Sequence, residues 1–162
     1  MNSTLAPSTS TSSKLAATKV RSGGRKPPQR AVKNAFESYT DNPVVVTGDF
    51  HSNWANDIRS AREESETIGT EFIGTSISSG GDGSEYTDFG GDESVVFGKY
   101  VVDENENVKY NNSRRGYTRC TITPETWLTE FRVVDYVTER GAPIRTDATF
   151  VVEAGVPGVR KP

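Results

Sequence analysis

Apolar residues recur at Val32, Ala35, Phe36 and Tyr39, near helical spacing, and predict a short amphipathic helix over 31–39. Asp41-Asn42-Pro43 is turn chemistry and ends it. Val44 to Thr47 follows without polar alternation, the pattern of a strand covered on both faces. Trp54 to Glu66 allows two readings: a helix with Trp54, Ile58 and Ala61 near one face, or a strand through Trp54 to Ile58. Thr70 to Ile77 sets Phe72, Ile73 and Ile77 among threonines, a strand composition. Ser78 to Gly83 and Gly90-Gly91 are glycine punctuation around a polar loop. Tyr100-Val101-Val102 is either a short strand or the end of a helical turn, and Asp103 to Asn107 a solvated acidic loop.

The last third reads as strands and turns. Gly116 to Thr123 carries Tyr117 and Ile122 among threonines, and Pro124-Glu125 breaks it. Thr126 to Val137 alternates through Trp127, Leu128, Phe131, Val133 and Val134. Gly141-Ala142-Pro143 breaks again before a strand from Thr146 to Glu153. Strands joined by short turns predict an antiparallel meander, so the fold class is α+β and β-rich. No internal repeat is present.

Residues 1 to 29 differ from the rest. Ser and Thr dominate Met1 to Ser13, and Lys14, Lys19, Arg21, Arg25, Lys26 and Arg30 arrive with no acid before Glu37. With few large apolar residues, this segment cannot offset its ordering entropy by burial, and we read it as a disordered tail. It lacks the apolar middle of a secretory signal; its basic, acid-free composition also fits an organellar transit peptide. The expected organisation is a tail over 1–29, a folded part over 30–158 and a short tail over 159–162. The whole chain has 162 residues, net charge -3 and only 33% hydrophobic residues, so the core is lean. The mild acidity gives no reason to expect a nucleic-acid partner. No stretch approaches the roughly 18 to 20 apolar residues of a membrane span. One cysteine, Cys120, excludes an intrachain disulfide and reads as a small buried hydrophobe.

The candidate chemistry sits where the first strand ends. Gly48-Asp49-Phe50-His51 places an acid and the chain's only histidine directly after Val44 to Thr47. Carboxylate and imidazole suit di- and trivalent cations, and a rigid strand would fix their spacing. The alternative is a strand-end cap beside a hydrogen-bonded histidine. Ser52, Asn53 and Trp54 follow and either line a pocket or begin the next element. Ser76 to Gly83 either presents backbone amides to a phosphate or is only a turn. Arg114 and Arg115 either grip an anion or are solvated at the start of a strand.

Five motifs, in one order, carry a family resemblance. They are Val45 to Ala55 (VVTGDFHSNWA), Gly69 to Gly81 (GTEFIGTSISSGG), Arg115 to Cys120 (RGYTRC), Phe131 to Asp135 (FRVVD) and Phe150 to Gly155 (FVVEAG). From about Val32 to Pro157 the chain resembles the carboxy-terminal part of the PhoD-like alkaline phosphatases, phosphomonoesterases and phosphodiesterases with a calcineurin-like metallophosphoesterase core. The family version usually has Val where Phe50 stands.

The resemblance implies part of a metallophosphoesterase β-sandwich and favours the strand reading for Trp54 to Ile58. It implies Asp49 and His51 as metal ligands of a centre holding iron with calcium, and a phosphate ester as substrate, with Asn53 and Trp54 as candidate contacts. Two residues apart on an extended chain, Asp49 and His51 would point to one face. Family members run to several hundred residues, and their first ligands lie upstream of the Gly-Asp-x-His motif. The expectation is therefore the last third of a phosphatase behind an unrelated tail, weak or inactive alone. The competing expectation is a non-catalytic remnant or β-rich interaction module with an unidentified partner chain. Family members are often exported, which leaves the compartment open.

Overall fold

The computed structural model describes residues 29–60, 62–63, 65–81 and 92–162. The tail reading for 1–28 and the end of the polar loop, 82–91, lie outside them. Helix α1 (Gln29–Tyr39) leads into β1 (Val44–Thr47), β2 (Asn53–Arg59) and β3 (Thr67–Ile73). Helix α2 (Asp92–Glu104) and β4 (Val108–Asn112) follow. The remainder is β5 (Gly116–Ile122), β6 (Thr126–Val134), β7 (Ile144–Glu153) and β8 (Val156–Arg160).

Two four-stranded sheets result. The first has the order β1-β3-β2-β4, with β1 parallel to β3 and the other pairs antiparallel. The second is the expected meander, β5-β6-β7-β8. The sheets pack face to face over Ala55, Phe72, Phe131, Phe150, Val152 and Val159. Phe131 is at the centre, its ring 6.2 Å from Phe72, 4.8 Å from Tyr110 and 6.1 Å from Phe150. Polar ties join the sheets. Asn112 Nδ2 of β4 donates to Asp147 Oδ2 of β7 at 2.9 Å. Tyr110 Oη donates to Asp147 Oδ2 at 2.7 Å, and the Val159 amide donates to Asp57 Oδ1 at 2.9 Å.

Side chains alternate along a strand, so Ala55 and Phe72 facing the second sheet put Trp54, Asn56, Glu71 and Ile73 on the opposite face. There Trp54, Ile73 and Val108 form a second cluster under Val101 and Val102 of α2. Asn56 Nδ2 donates to Glu71 Oε2 at 3.0 Å, a buried polar pair in this layer. Burial pushes the Glu71 carboxyl up from 4.5 to about 7, with the Asn56 hydrogen bond pulling the other way.

Several boundaries differ from the sequence reading. Trp54 to Ile58 is strand, and Tyr100 to Val102 is the end of α2. The strand expected over 70–77 runs Thr67–Ile73 instead. Two strands were not foreseen, β4 and β8, and β8 extends past residue 158. Val44 to Thr47 is not covered on both faces: Val46 is 52% exposed. β1 is an edge strand, and although Val44 reaches the inter-sheet core, Val46 on the same side lies beyond it. Cys120 is exposed, not buried, because β5 is also an edge strand and is open along most of its length.

Candidate metal site

β1 and β2 are consecutive in the chain, yet β3 lies between them. Residues 48–52 must therefore span two strand spacings, about 10 Å, across the carboxyl end of β3. The crossing is made in a left-handed conformation at two non-glycine residues, Asp49 with φ 72° and His51 with φ 59°. Such backbone costs on the order of 1–3 kcal/mol per residue unless its surroundings hold it. Asp and His are among the residues that tolerate this region best, which is one reason they stand here.

The chain leaving β3 supplies much of what holds it. The Gly74 amide donates to the Thr47 carbonyl at 2.9 Å. Farther on, His51 Nδ1 is hydrogen-bonded to the Gly80 carbonyl. A carbonyl only accepts, so Nδ1 carries the proton and a neutral His51 presents Nε2 as a lone pair. Gly81 is pressed against the same residue: a Cβ there would lie 2.5 Å from His51 Cβ and 2.7 Å from its carbonyl oxygen. A fixed Nδ1–H against a protein carbonyl is the arrangement that orients metal-ligating histidines.

The family model for PhoD-like phosphatase matches residues 3–131. The chain belongs to the PhoD-like phosphatases. Alkaline phosphatase D of Bacillus subtilis (strain 168) is 42% identical to it over 138 residues, 82% of this chain and 22% of the relative. The solved structure of PhoD overlays it with a TM-score of 0.67 at 36% identity, over 82% of this chain and 24% of that one. This PhoD-like chain thus spans about a quarter of the length of those relatives.

In this PhoD-like chain the two expected ligand positions lie in the turn between β1 and β2, not on an extended strand. The same-face argument from strand alternation fails, because both residues have positive φ. Asp49 is exposed and His51 half-buried. Asn53 and Trp54 are buried, and their polar atoms meet protein partners. Asn53 Nδ2 donates to the Arg114 carbonyl at 3.1 Å, its Oδ1 accepts from the Thr75 amide at 3.3 Å, and Trp54 Nε1 donates to Ser52 Oγ at 2.7 Å. Phe50 stands edge-on to Trp54 at 5.7 Å. Of the loop read as a phosphate cradle, Ser76 Oγ closes on the Ser79 carbonyl at 2.8 Å, a turn contact.

The two arginines separate. Arg114 pairs with Asp135 at 2.9 Å near the surface. Arg115, read as solvated or anion-gripping, is fully buried. Its Nη1 donates to the carbonyls of His51 at 2.6 Å and Ser113 at 2.7 Å, and to Thr75 Oγ1 at 3.3 Å. Its one sequence signal is its place beside Gly116, where any Cβ would run into the Arg132 carbonyl of β6. The donor types at Asp49 and His51 fit a hard or borderline cation. Their number covers part of a coordination shell: among the described residues, no group of three or more His, Cys, Asp or Glu could hold a metal.

Proposed function

We propose that this chain contributes one edge of a metal-dependent phosphoric ester hydrolase site, with Asp49 and His51 as metal ligands. The observation that carries this reading is the His51 Nδ1–Gly80 hydrogen bond inside a left-handed turn, which leaves the lone pair on Nε2, two residues from the exposed Asp49. Membership of the PhoD-like phosphatases supports the reaction class. The iron and calcium expected for the family are consistent with an imidazole next to a carboxylate. When bound, such a centre polarises phosphoryl oxygens and lowers the pKa of water. This chain's own share is positional. Asp49 and His51 fix one side of the cation shell, and the Asn53–Thr75–Arg114 hydrogen bonds hold the turn that carries them.

The two-donor count favours a second reading, a non-catalytic β-rich module of the same family. An assay of the purified chain with an aryl phosphate and an aryl phosphodiester, with and without iron and calcium, separates the two. Metal-dependent turnover that disappears in Asp49→Ala supports hydrolysis by this chain. Metal binding at His51 without turnover supports a partial site. No metal binding at all removes the ligand assignment.

A further inference from the structure

We infer that Arg115 is a positioning residue for the ligand turn: its buried guanidinium sets the backbone of His51 so that the imidazole keeps its proton on Nδ1 and turns Nε2 outward. The value of this for metal binding rests on the ligand reading above.

A guanidinium cannot shed its charge, so burying one demands compensating oxygens. Arg115 has them around Nη1, and they come from three different segments. The His51 carbonyl belongs to the ligand turn, Thr75 Oγ1 to the chain leaving β3, and the Ser113 carbonyl to the link from β4 to β5. The Arg115 backbone is itself anchored to both sheets' connections. Its carbonyl accepts from the Val134 amide at the end of β6 at 2.9 Å, and the next amide, Gly116, donates to the Ser76 carbonyl at 3.1 Å. The side chain therefore reaches from the second sheet to the end of the first, as a strut between them.

His51 is gripped at two points. Arg115 holds its carbonyl, and the Gly80 carbonyl holds its ring. Both grips bear on a residue held at φ 59°, in the left-handed region. Releasing the carbonyl lets the peptide unit rotate toward the ordinary β region, which carries the ring away from Gly80. Histidine packing and family motifs alone would not single out Arg115 for this task. The convergence of the three oxygens on one buried nitrogen does.

The chain's single histidine makes the test clean. The full chain is labelled with 15N and the two-bond 15N–1H spectrum of His51 is recorded without metal at about pH 9, where an imidazole is neutral. The wild type should show the Nδ1–H tautomer alone. Arg115→Met, with similar side-chain length and no donor, should show a mixture moving toward Nε2–H, and zinc(II) titrated against the His51 ring signals should bind about 10- to 100-fold more weakly. A folded Arg115→Met that keeps the wild-type tautomer overturns the inference. Where Arg115→Met does not fold, Arg115→Lys decides: a folded lysine variant with mixed tautomers supports it, and one with the wild-type tautomer overturns it. Unfolding of both variants would make Arg115 a general folding residue and also overturn it. Zinc that leaves the wild-type ring signals unchanged refutes the ligand reading instead, while the metal-free tautomer still judges Arg115.

Discussion

Glu71 offers the sharpest prediction of stability. It is buried beside Asn56 on the helix-covered face of the first sheet, and burial lifts its carboxyl from 4.5 to about 7. In the unfolded chain it titrates near its ordinary value. Below 4.5 both states hold the proton and Glu71 adds no pH dependence. Between 4.5 and 7 the unfolded chain loses the proton while the folded chain keeps it, so stability falls as the pH rises. Above 7 the folded chain carries the ionised group at a cost of about 3 kcal/mol, at 1.36 kcal/mol per pH unit of difference. Glu71→Gln retains an acceptor for Asn56 and removes the ionisation. Urea denaturation followed by Trp54 and Trp127 fluorescence, for both proteins between about pH 4 and about pH 9, isolates this group, because every other titration cancels in the difference. The variant should match the wild type near pH 4 and exceed it by up to about 3 kcal/mol above pH 7. Parallel curves across the range would refute the reasoning, since they would mean that water or a compensating charge reaches the carboxylate.

Three other variants probe the turn and the core. Gly81→Ala drives a methyl into His51 and should displace the ring from Gly80, weakening zinc(II) binding about tenfold or more by titration. Asp49→Gly removes both the proposed ligand and a strained residue; it should abolish metal binding while raising stability by about 0.5–1 kcal/mol in urea, and a loss of stability would contradict the strain argument. Phe131→Ala opens a cavity among Phe72, Tyr110 and Phe150 and should cost about 3–5 kcal/mol, measured by the same denaturation.

The apolar pattern was enough to locate the meander strands β6 and β7, because each buries alternate residues against the first sheet, and it located β1 and α1 although Val46, Val32 and Tyr39 stay exposed and only Phe36 of the α1 apolar stripe is half-buried. β4 escaped because Val108-Lys109-Tyr110-Asn111-Asn112 buries mainly Val108 and Tyr110, and asparagine argues against a strand. β8 escaped because Pro157 and Gly158 argue likewise. Its position at a sheet edge leaves room for proline, and Gly158 takes φ 102° beside Asp57. The candidate pair Asp49 and His51 stood out by residue type, and the turn that carries them did not. Asp and His favour positive φ more than most residues but adopt ordinary backbone far more often, so Asp49-Phe50-His51 does not by itself announce a left-handed crossing. Arg115 could not be told from its neighbour Arg114 until the fold brought carbonyls around it, since burial of a charge is decided by partners distant in sequence.

The crossing of residues 48–52 over β3 has a bearing on how the site comes into being. A link this short would ordinarily close a hairpin, yet here β1 and β2 pair with opposite edges of β3. The geometry of the turn has no local source: His51 is held by Gly80, which is reached only through β3, the strand that the turn crosses. Assembly of the first sheet and maturation of the site are then one cooperative event. An ion that recognises the finished turn would slow hydrogen exchange at β3 amides that it never touches, and withdrawing β3 would erase its binding site in the same step.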